Sequence, residues 1–482
     1  MNDVPKINHL IDGHVRTADK YRELRDPGRL DDVVAEVALG TERDVVEACE
    51  AAHKAFPAWR DTPVAKRAEI VNSAGEVFAQ CGNEWAALLC REHGGVMWEA
   101  NVDFQVGGAT LTSTAAEADR LFTPTVIEDE NSKITILREP RGVMAAIPPW
   151  NMPLVLTALK VAPALTTGNT MVIKPSSSAP AALTLTLMKI AEMFPPGVIN
   201  VVNGPGSVGE AMALNPRVRK VGFTGGTEVG RSVMANAAQG IRNVTLELGG
   251  NDAAIVLPDA DLDVTLPRML MGVFTRSGQI CFAVKRIYVH ESRFQEFLDA
   301  MVARVEKMTV GHGVYDNDPT FGPLHNKDQF DMVTGLIEST KAAGCQVLEL
   351  GHKANPDQWE NGYYILPHIA VNPDESLAVV GCEQFGPIIP VMSYKTEDEV
   401  VARANNTEFG LCSSVWTTDI DHGFEIAKRL EAGSTFINEH SLMALDLRAP
   451  FGGVKQSGIG REMGIWAMEE YTDYHTIRAM KK

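Results

Sequence analysis

The chain has 482 residues, too many for one compact core, so two or more domains are expected; 45 % hydrophobic and 22 % charged residues are ordinary for a soluble globular protein. Its net charge of −18 speaks against nucleic acid or an anionic membrane surface as partner, since both need clustered Lys and Arg.

Met1-Asn2-Asp3-Val4-Pro5 carries no basic segment followed by an apolar one, so no signal peptide is read. Seven dispersed cysteines without CxxC spacing predict reduced thiols in a cytoplasm and no structural metal. Along the chain, Thr123 to Arg138 is polar and alternating, with Ile134, Ile136 and Arg138 on one face. It reads as an exposed strand pair, either a route to subunit pairing or a solvated hairpin. The longest uncharged stretch, Gly142 to Leu159, holds Pro148, Pro149 and Pro153 and reads as buried rather than membrane-spanning. Strands are predicted at Gly142–Ile147 and Thr170–Lys174, and a helix at Ala179–Phe194. Then come strand Val198–Val202, helix Ser207–Leu214, strand Lys220–Thr224, helix Thr227–Ala238 and strand Val244–Leu248. This alternation predicts βαβ units and a parallel sheet, an α/β fold. Arg286–His290 follows as a strand, and Glu291–Met308 as a helix whose Phe294, Phe297, Met301, Val305 and Met308 form a core-facing stripe.

Two glycine arrangements follow strands. Gly204-Pro205-Gly206-Ser207-Val208-Gly209 fits GxGxxG, but no acidic residue sits well placed about 20 positions on to hold a ribose, and a plain strand-to-helix turn fits as well. In Phe223-Thr224-Gly225-Gly226-Thr227-Glu228-Val229-Gly230 the glycines free N–H groups at a helix N-terminus, where a phosphate is stabilised. Spacing alone leaves this suggestive.

Three further segments carry chemistry: Ile147-Pro148-Pro149-Trp150-Asn151-Met152-Pro153, Leu246-Glu247-Leu248-Gly249-Gly250 and Gly278-Gln279-Ile280-Cys281. They supply an amide donor, a carboxylate and a thiol, each held by Gly, Pro or Trp in apolar surroundings. A thiol attacks a carbonyl as thiolate, which needs its pKa lowered from about 8.5. An amide N–H stabilises the resulting oxyanion, and a buried Glu serves as a base near neutrality. Taken singly, the Cys reads as a small hydrophobe, the Glu as a surface charge and the Asn as a turn residue. Together they point to a catalytic set.

On these segments, and from Ile11-Asp12-Gly13 to Pro450-Phe451-Gly452-Gly453-Val454-Lys455, the chain resembles the aldehyde dehydrogenase superfamily over nearly its whole length. The resemblance implies Cys281 as nucleophile, Asn151 as oxyanion donor together with the Cys281 N–H, and Glu247 as the base that activates water against a thioester. It implies NAD or NADP as cofactor, with Trp150 among the cofactor-binding positions. Glu383 and Phe385 would hold the nicotinamide ribose and ring, Lys174 the adenine ribose, and Gly225, Gly226 and Gly230 the pyrophosphate turn. The Gly204–Gly209 loop then ranks lower, lining the adenine side.

Three positions depart from the pattern. Ser177 stands where NAD-preferring members often carry Glu, which predicts that NADP is tolerated or preferred. Gly226 replaces a common Ser, and Asn251 a frequent Lys for which the sequence offers no reason. Met152, Val155, Leu156, Leu159, Ile280 and Phe282 are expected to line the aldehyde channel; being apolar, they suit aromatic or medium-chain aliphatic aldehydes. The Asn438–Arg448 loop, with Glu439, His440, Asp446 and Arg448, leaves open a semialdehyde paired with Arg448. Glu247 argues against a CoA-acylating relative, and the intact trio against a non-catalytic paralogue. The resemblance implies a Rossmann-like dinucleotide-binding domain from 1–119 and 139–248, an α/β catalytic domain from 249–469, and a small β oligomerisation element from 120–138 and 470–482. It also implies a homodimer or homotetramer.

Overall fold

In the computed structural model, which describes residues 4–481, the short apolar runs become strands because both of their faces are covered. Val143–Ile147 is the clearest case. Met144 and Ala146 enter one hydrophobic cluster with Phe104, Leu154 and Leu165, while Val143, Ala145 and Ile147 enter another with Val208, Phe223 and Leu246. The twofold alternation of strand side chains divides one segment between two cores.

Eight strands form this sheet, in the order Gly458–Ile459, Asn243–Glu247, Val218–Thr224, Val143–Ile147, Thr170–Ile173, Ile199–Val201, His9–Ile11 and His14–Arg16. The pairings from Asn243–Glu247 through Ile199–Val201 are parallel. Ile147 stands opposite Phe223, Ile173 opposite Ala146, and Thr224 opposite Glu247. Register therefore brings the carboxyl ends of these strands to one edge, the place where open α/β sheets bind ligands. A second sheet runs Gln346–Glu349, His368–Val371, Ile388–Tyr394, Val284–His290, Asp252–Val256, Cys412–Trp416 and Ser434–Ile437, parallel except for its first pair. Thr125–Glu128 and Ser132–Pro140 form the exposed hairpin, and Thr472–Met480 adds a third, antiparallel strand to it. One strand crosses the division expected from sequence: Gly458–Ile459 caps the first sheet beside Asn243–Glu247.

Most elements lie within two or three residues of their expected bounds. The helix expected at Glu291–Met308 is shorter. A 3-10 turn, Glu291–Arg293, precedes an α-helix over Phe294–Val305, and the His290 ring accepts from the Ser292 N–H at its start. Phe297, Met301 and Val305 are buried, as the stripe predicted. Among the described residues no helix is long and apolar enough to cross a membrane, and no group of three or more His, Cys, Asp or Glu could hold a metal ion.

Candidate active site

The loop that carries Cys281, the candidate nucleophile, begins where helix Leu262–Phe274 ends. Arg276 (φ 57°) and Ser277 (φ 59°) are both left-handed, and Gly278 (φ 75°) follows. Successive left-handed L-residues are costly, so surrounding contacts must hold them. The Ser277 hydroxyl donates to the Gly322 carbonyl at 2.7 Å, and the Arg276 N–H donates to Glu99 at 2.6 Å. A Cβ at Gly278 would stand 2.5 Å from the Gly386 carbonyl oxygen, so this position accepts only glycine. The fully buried Arg276 guanidinium donates to the Asn151 carbonyl and the His93 carbonyl, each at 3.0 Å, and lies 3.7 Å from Glu99.

The turn delivers Cys281 to a cleft. Lys285 donates to the Ile280 carbonyl at 2.9 Å and the Cys281 carbonyl at 2.5 Å, fixing the backbone around the thiol. Burial pushes the Cys281 thiol up to about 12; Lys285 pulls it down, while Glu247, Glu383 and Asp252 push it further up. Thiolate attack needs a shift in the other direction; in this state desolvation outweighs the one nearby cation. The Asn151 amide donates to the Gln279 carbonyl at 2.9 Å, which ties the oxyanion-donor candidate to the nucleophile loop. Just beyond it, Asp103 accepts from the Leu154 and Val155 N–H groups at 3.2 and 2.7 Å, capping helix Pro153–Thr166.

Glu247 ends its strand only 3 % exposed, and neither carboxylate oxygen has a hydrogen-bond partner. Burial holds its pKa well above the usual carboxylate range; Glu462 adds to this, while Lys160 and Arg461 oppose it. Lys160 itself bonds Glu462 at 2.8 Å and Thr224 at 2.6 Å. A Cβ at Gly452 would come within 2.8 Å of a Glu247 oxygen, so the glycine pair after Phe451 leaves room for this carboxyl.

A cavity of about 270 Å³ opens in front of the thiol, lined in part by Trp150, Gly225, Gly226, Gly249, Glu383 and Phe385. Glu383 accepts from the Gly250 N–H at 3.0 Å, and a Cβ at Gly249 would collide with its carboxylate at 2.4 Å. The Phe385 ring meets Trp150 edge-on with centroids 5.6 Å apart. Gly226 caps helix Thr227–Ala238 and faces open space, since a Cβ there would meet nothing within 4 Å. Gly230 instead lets that helix pack on Leu248, at 2.5 Å from a notional Cβ. An aromatic wall, a carboxylate and open N–H groups at a helix N-terminus fit the nicotinamide, ribose and pyrophosphate of a dinucleotide.

Lys174 and Ser177 lie outside this cavity, past the end of strand Thr170–Ile173. Lys174 donates to the Pro175 carbonyl at 3.0 Å, and burial, with Arg22 nearby, brings it down to about 8. A Cβ at Gly209, in the GxGxxG loop, would touch Lys174 Cδ at 3.4 Å, which puts that loop on the Lys174 side. The expected channel residues do assemble. Met152, Val155, Leu159, Ile280 and Phe282 are buried in one cluster with Phe451, and Leu156 and Cys281 pack against it. Arg448 is exposed and forks onto Asp446, while Glu439 accepts from the His440 and Ser441 N–H groups of its own loop.

Several residues around the site carry no local signal of their own. His325 stacks on Trp150 at 4.2 Å and bonds Ser178 at 2.7 Å. Arg276, Glu99, Asp103 and Glu462 act through partners distant in sequence, and Lys285 acts on carbonyls four and five residues before it. Only Lys160, a lone charge in an apolar helix, could have been noticed. The Asn251 side-chain amide donates to the Val380 carbonyl at 2.8 Å, while its backbone carbonyl accepts from Arg286 at 2.8 and 3.0 Å. It pins the loop after Gly250 to the segment that carries Glu383.

Comparison with known proteins agrees with this geometry. The family model described as Aldehyde dehydrogenase family matches residues 14–477. Retinaldehyde dehydrogenase 3 from Homo sapiens is 38 % identical over 451 residues, 92 % of this chain and 87 % of that protein. A betaine aldehyde dehydrogenase from Staphylococcus aureus, solved in complex with NAD+, matches with a TM-score of 0.93 at 32 % identity, covering 98 % of this chain and 94 % of that one. An NADP-dependent enzyme from E. coli matches with a TM-score of 0.94, also at 32 % identity, covering 100 % and 99 %.

Proposed function

The chain belongs to the aldehyde dehydrogenase family and is an NAD(P)-dependent enzyme, and from that premise we propose that it oxidises an aromatic or medium-chain aliphatic aldehyde to the carboxylic acid through a thioester on Cys281. The observation that carries this is Cys281 opening between an apolar cluster and a cavity lined by Asn151, Gly225, Gly226 and Glu383.

In this reading the Cys281 thiol first gives up its proton to solvent, the thiolate sulfur then bonds the aldehyde carbon as the C=O π bond breaks, and the carbonyl oxygen takes the negative charge. The Asn151 amide turns from the Gln279 carbonyl to donate to that oxygen, together with the Cys281 N–H. Bound NAD or NADP supplies the hydride acceptor, leaving a thioester on Cys281. Glu247 then takes a proton from water as the water attacks the thioester, releasing the acid and restoring the thiol. Its unpartnered oxygens and raised pKa suit a base working near neutrality. Holding thiol, aldehyde and cofactor in one geometry supplies much of the barrier reduction.

The apolar cluster supports an uncharged aldehyde. Arg448, already committed to Asp446, gives a semialdehyde carboxylate little purchase. Lys174 beside Ser177, with no carboxylate at 177, supports use of NADP as well as NAD. The proposal includes the domain division stated above, pairing of subunits through the exposed hairpin and Thr472–Met480, and a reducing cytoplasmic setting for seven free thiols.

The test is reduction of NAD or NADP by benzaldehyde, hexanal or succinic semialdehyde, with Cys281→Ala as control. Turnover with the apolar aldehydes that disappears in the variant is expected. A preference for succinic semialdehyde refutes the substrate class, and equal behaviour of the two proteins refutes the mechanism.

A further inference from the structure

Lys285 is the second residue of strand Val284–His290, and its side chain is only 3 % exposed. Burying an ammonium is costly unless its N–H groups find partners. Here they find the backbone of the turn that carries Cys281. The ammonium donates to the Ile280 carbonyl at 2.9 Å, to the Cys281 carbonyl at 2.5 Å and, more distantly, to the Ala283 carbonyl at 3.5 Å. Glu383 stands 3.7 Å away as the counter-charge, and the Phe385 ring centroid lies at 6.0 Å. The Gln384 amide donates to the Lys285 carbonyl at 3.0 Å, which ties the lysine to the segment that carries both.

The Ile280 carbonyl has a special place among these partners. It shares one planar peptide unit with the Cys281 N–H, and in a trans peptide the two point in opposite directions. The Ala283 N–H also donates to this carbonyl, at 3.1 Å, so two donors grip its oxygen. Donors on a peptide oxygen polarise the unit and strengthen its N–H as a donor. They also fix the peptide plane, and with it the direction of the N–H. Among the described residues, the Cys281 N–H makes no hydrogen bond to the protein, so it is free to meet an incoming oxygen. At the Cys281 sulfur, Lys285 is the cation that opposes Glu247, Glu383 and Asp252.

We propose that Lys285 is a positioning residue of the oxyanion site: by gripping the Ile280 carbonyl, its ammonium aims and polarises the Cys281 N–H toward the oxygen that becomes negative when the thiolate attacks the aldehyde. This rests on the reading of Cys281 as the nucleophile. As the S–C bond forms, the C=O π pair moves onto oxygen. The Cys281 N–H and the Asn151 amide receive that charge, and Lys285 acts from the far side of the peptide without touching substrate.

The test compares two reactions of Cys281 in the full chain at one pH. One is the first turnover of reduced cofactor, with saturating NAD or NADP and the best substrate among benzaldehyde, hexanal and succinic semialdehyde. The other is alkylation by iodoacetamide without cofactor. Both need the thiolate, but only the aldehyde reaction makes an oxyanion, and saturating cofactor keeps a disturbed Glu383 out of the comparison. In Lys285→Met the first turnover should fall about tenfold beyond any fall in alkylation, since a weakened donor costs less than the about 10²–10³-fold of a removed one. Lys285→Arg, which keeps the charge and the donors, should recover most of that difference. If circular dichroism shows that Lys285→Met does not fold, Lys285→Gln replaces it, with a difference in the same direction expected. Equal falls in the two reactions overturn the proposal, because Lys285 then acts on the thiol alone. Equal losses in Lys285→Arg and Lys285→Met also overturn it, because packing then accounts for them. Absence of Cys281-dependent turnover in the wild type removes the nucleophile itself, and the positioning role with it.

Discussion

Replacing Arg276 by Asn should weaken the fold and slow the reaction together, and the loss should depend on pH. Arg276 and Glu99 are both fully buried, and the guanidinium also holds the Asn151 and His93 carbonyls. Removing one partner of a buried ion pair costs about 3–5 kcal/mol. Asn enters the left-handed region more easily than Arg, which offsets about 1 kcal/mol. The net loss is about 2–4 kcal/mol, a large share of the roughly 5–15 kcal/mol that stabilises a typical domain. Burial already raises the Glu99 pKa, and Arg276 is the main group opposing that rise. Without Arg276 the folded-state pKa climbs further above its unfolded value. A group raised on folding contributes stability below its unfolded pKa and loses it as pH rises through the folded pKa. The gap between wild type and Arg276→Asn should therefore widen between about pH 5.5 and pH 8, by up to about 1.4 kcal/mol per unit. Urea unfolding at both pH values reads this, and Glu99→Gln/Arg276→Asn should recover much of the loss at the higher pH. Freed of its anchor, the Asn151 backbone should shift and lower kcat by about tenfold to a hundredfold. A gap under about 1 kcal/mol that is equal at both pH values would refute the burial argument.

Asn151→Ala should lower kcat by about 10²–10³-fold with little change in the cofactor KM, because it removes a donor to the developing oxyanion; steady-state kinetics with saturating cofactor checks it. Glu247→Gln should still yield a single turnover of reduced cofactor and then stall, with an acyl adduct on Cys281 visible by mass spectrometry; unchanged steady-state turnover would remove Glu247 as the base. Since Glu247 works as a base only when deprotonated and its pKa is raised, kcat in the wild type should rise with pH at values well above the ordinary carboxyl range of about 4.3. With its thiol raised to about 12, Cys281 of the free enzyme should alkylate with iodoacetamide at a rate that climbs about tenfold per pH unit well past 8.5. Lys285→Met should slow it further, and levelling near 8.5 would mean that burial does not control the thiol.

What could be read from the sequence was local. Short apolar runs such as Val143–Ile147 and the helix bounds Thr227–Ala238 depend on neighbours a few residues away, and both are in the structure. The Gly, Pro and Trp flanking Asn151, Glu247 and Cys281 marked those residues because rigid backbone is itself a local property. The state of the site was decided elsewhere. Arg276 meets Glu99 across 177 positions, Lys160 meets Glu462 across 302, and Arg22 meets Ser177 across 155. The left-handed turn at Arg276–Ser277 goes against what either residue prefers alone, and long-range bonds hold it. The Cys281 thiol is raised, because desolvation and the net field on it sum over segments that meet only on folding. Residue type and local pattern thus determined which groups could do chemistry and on which elements they sit. Their charge state and aim belong to the tertiary structure, since electrostatics in a buried site acts through space and not along the chain.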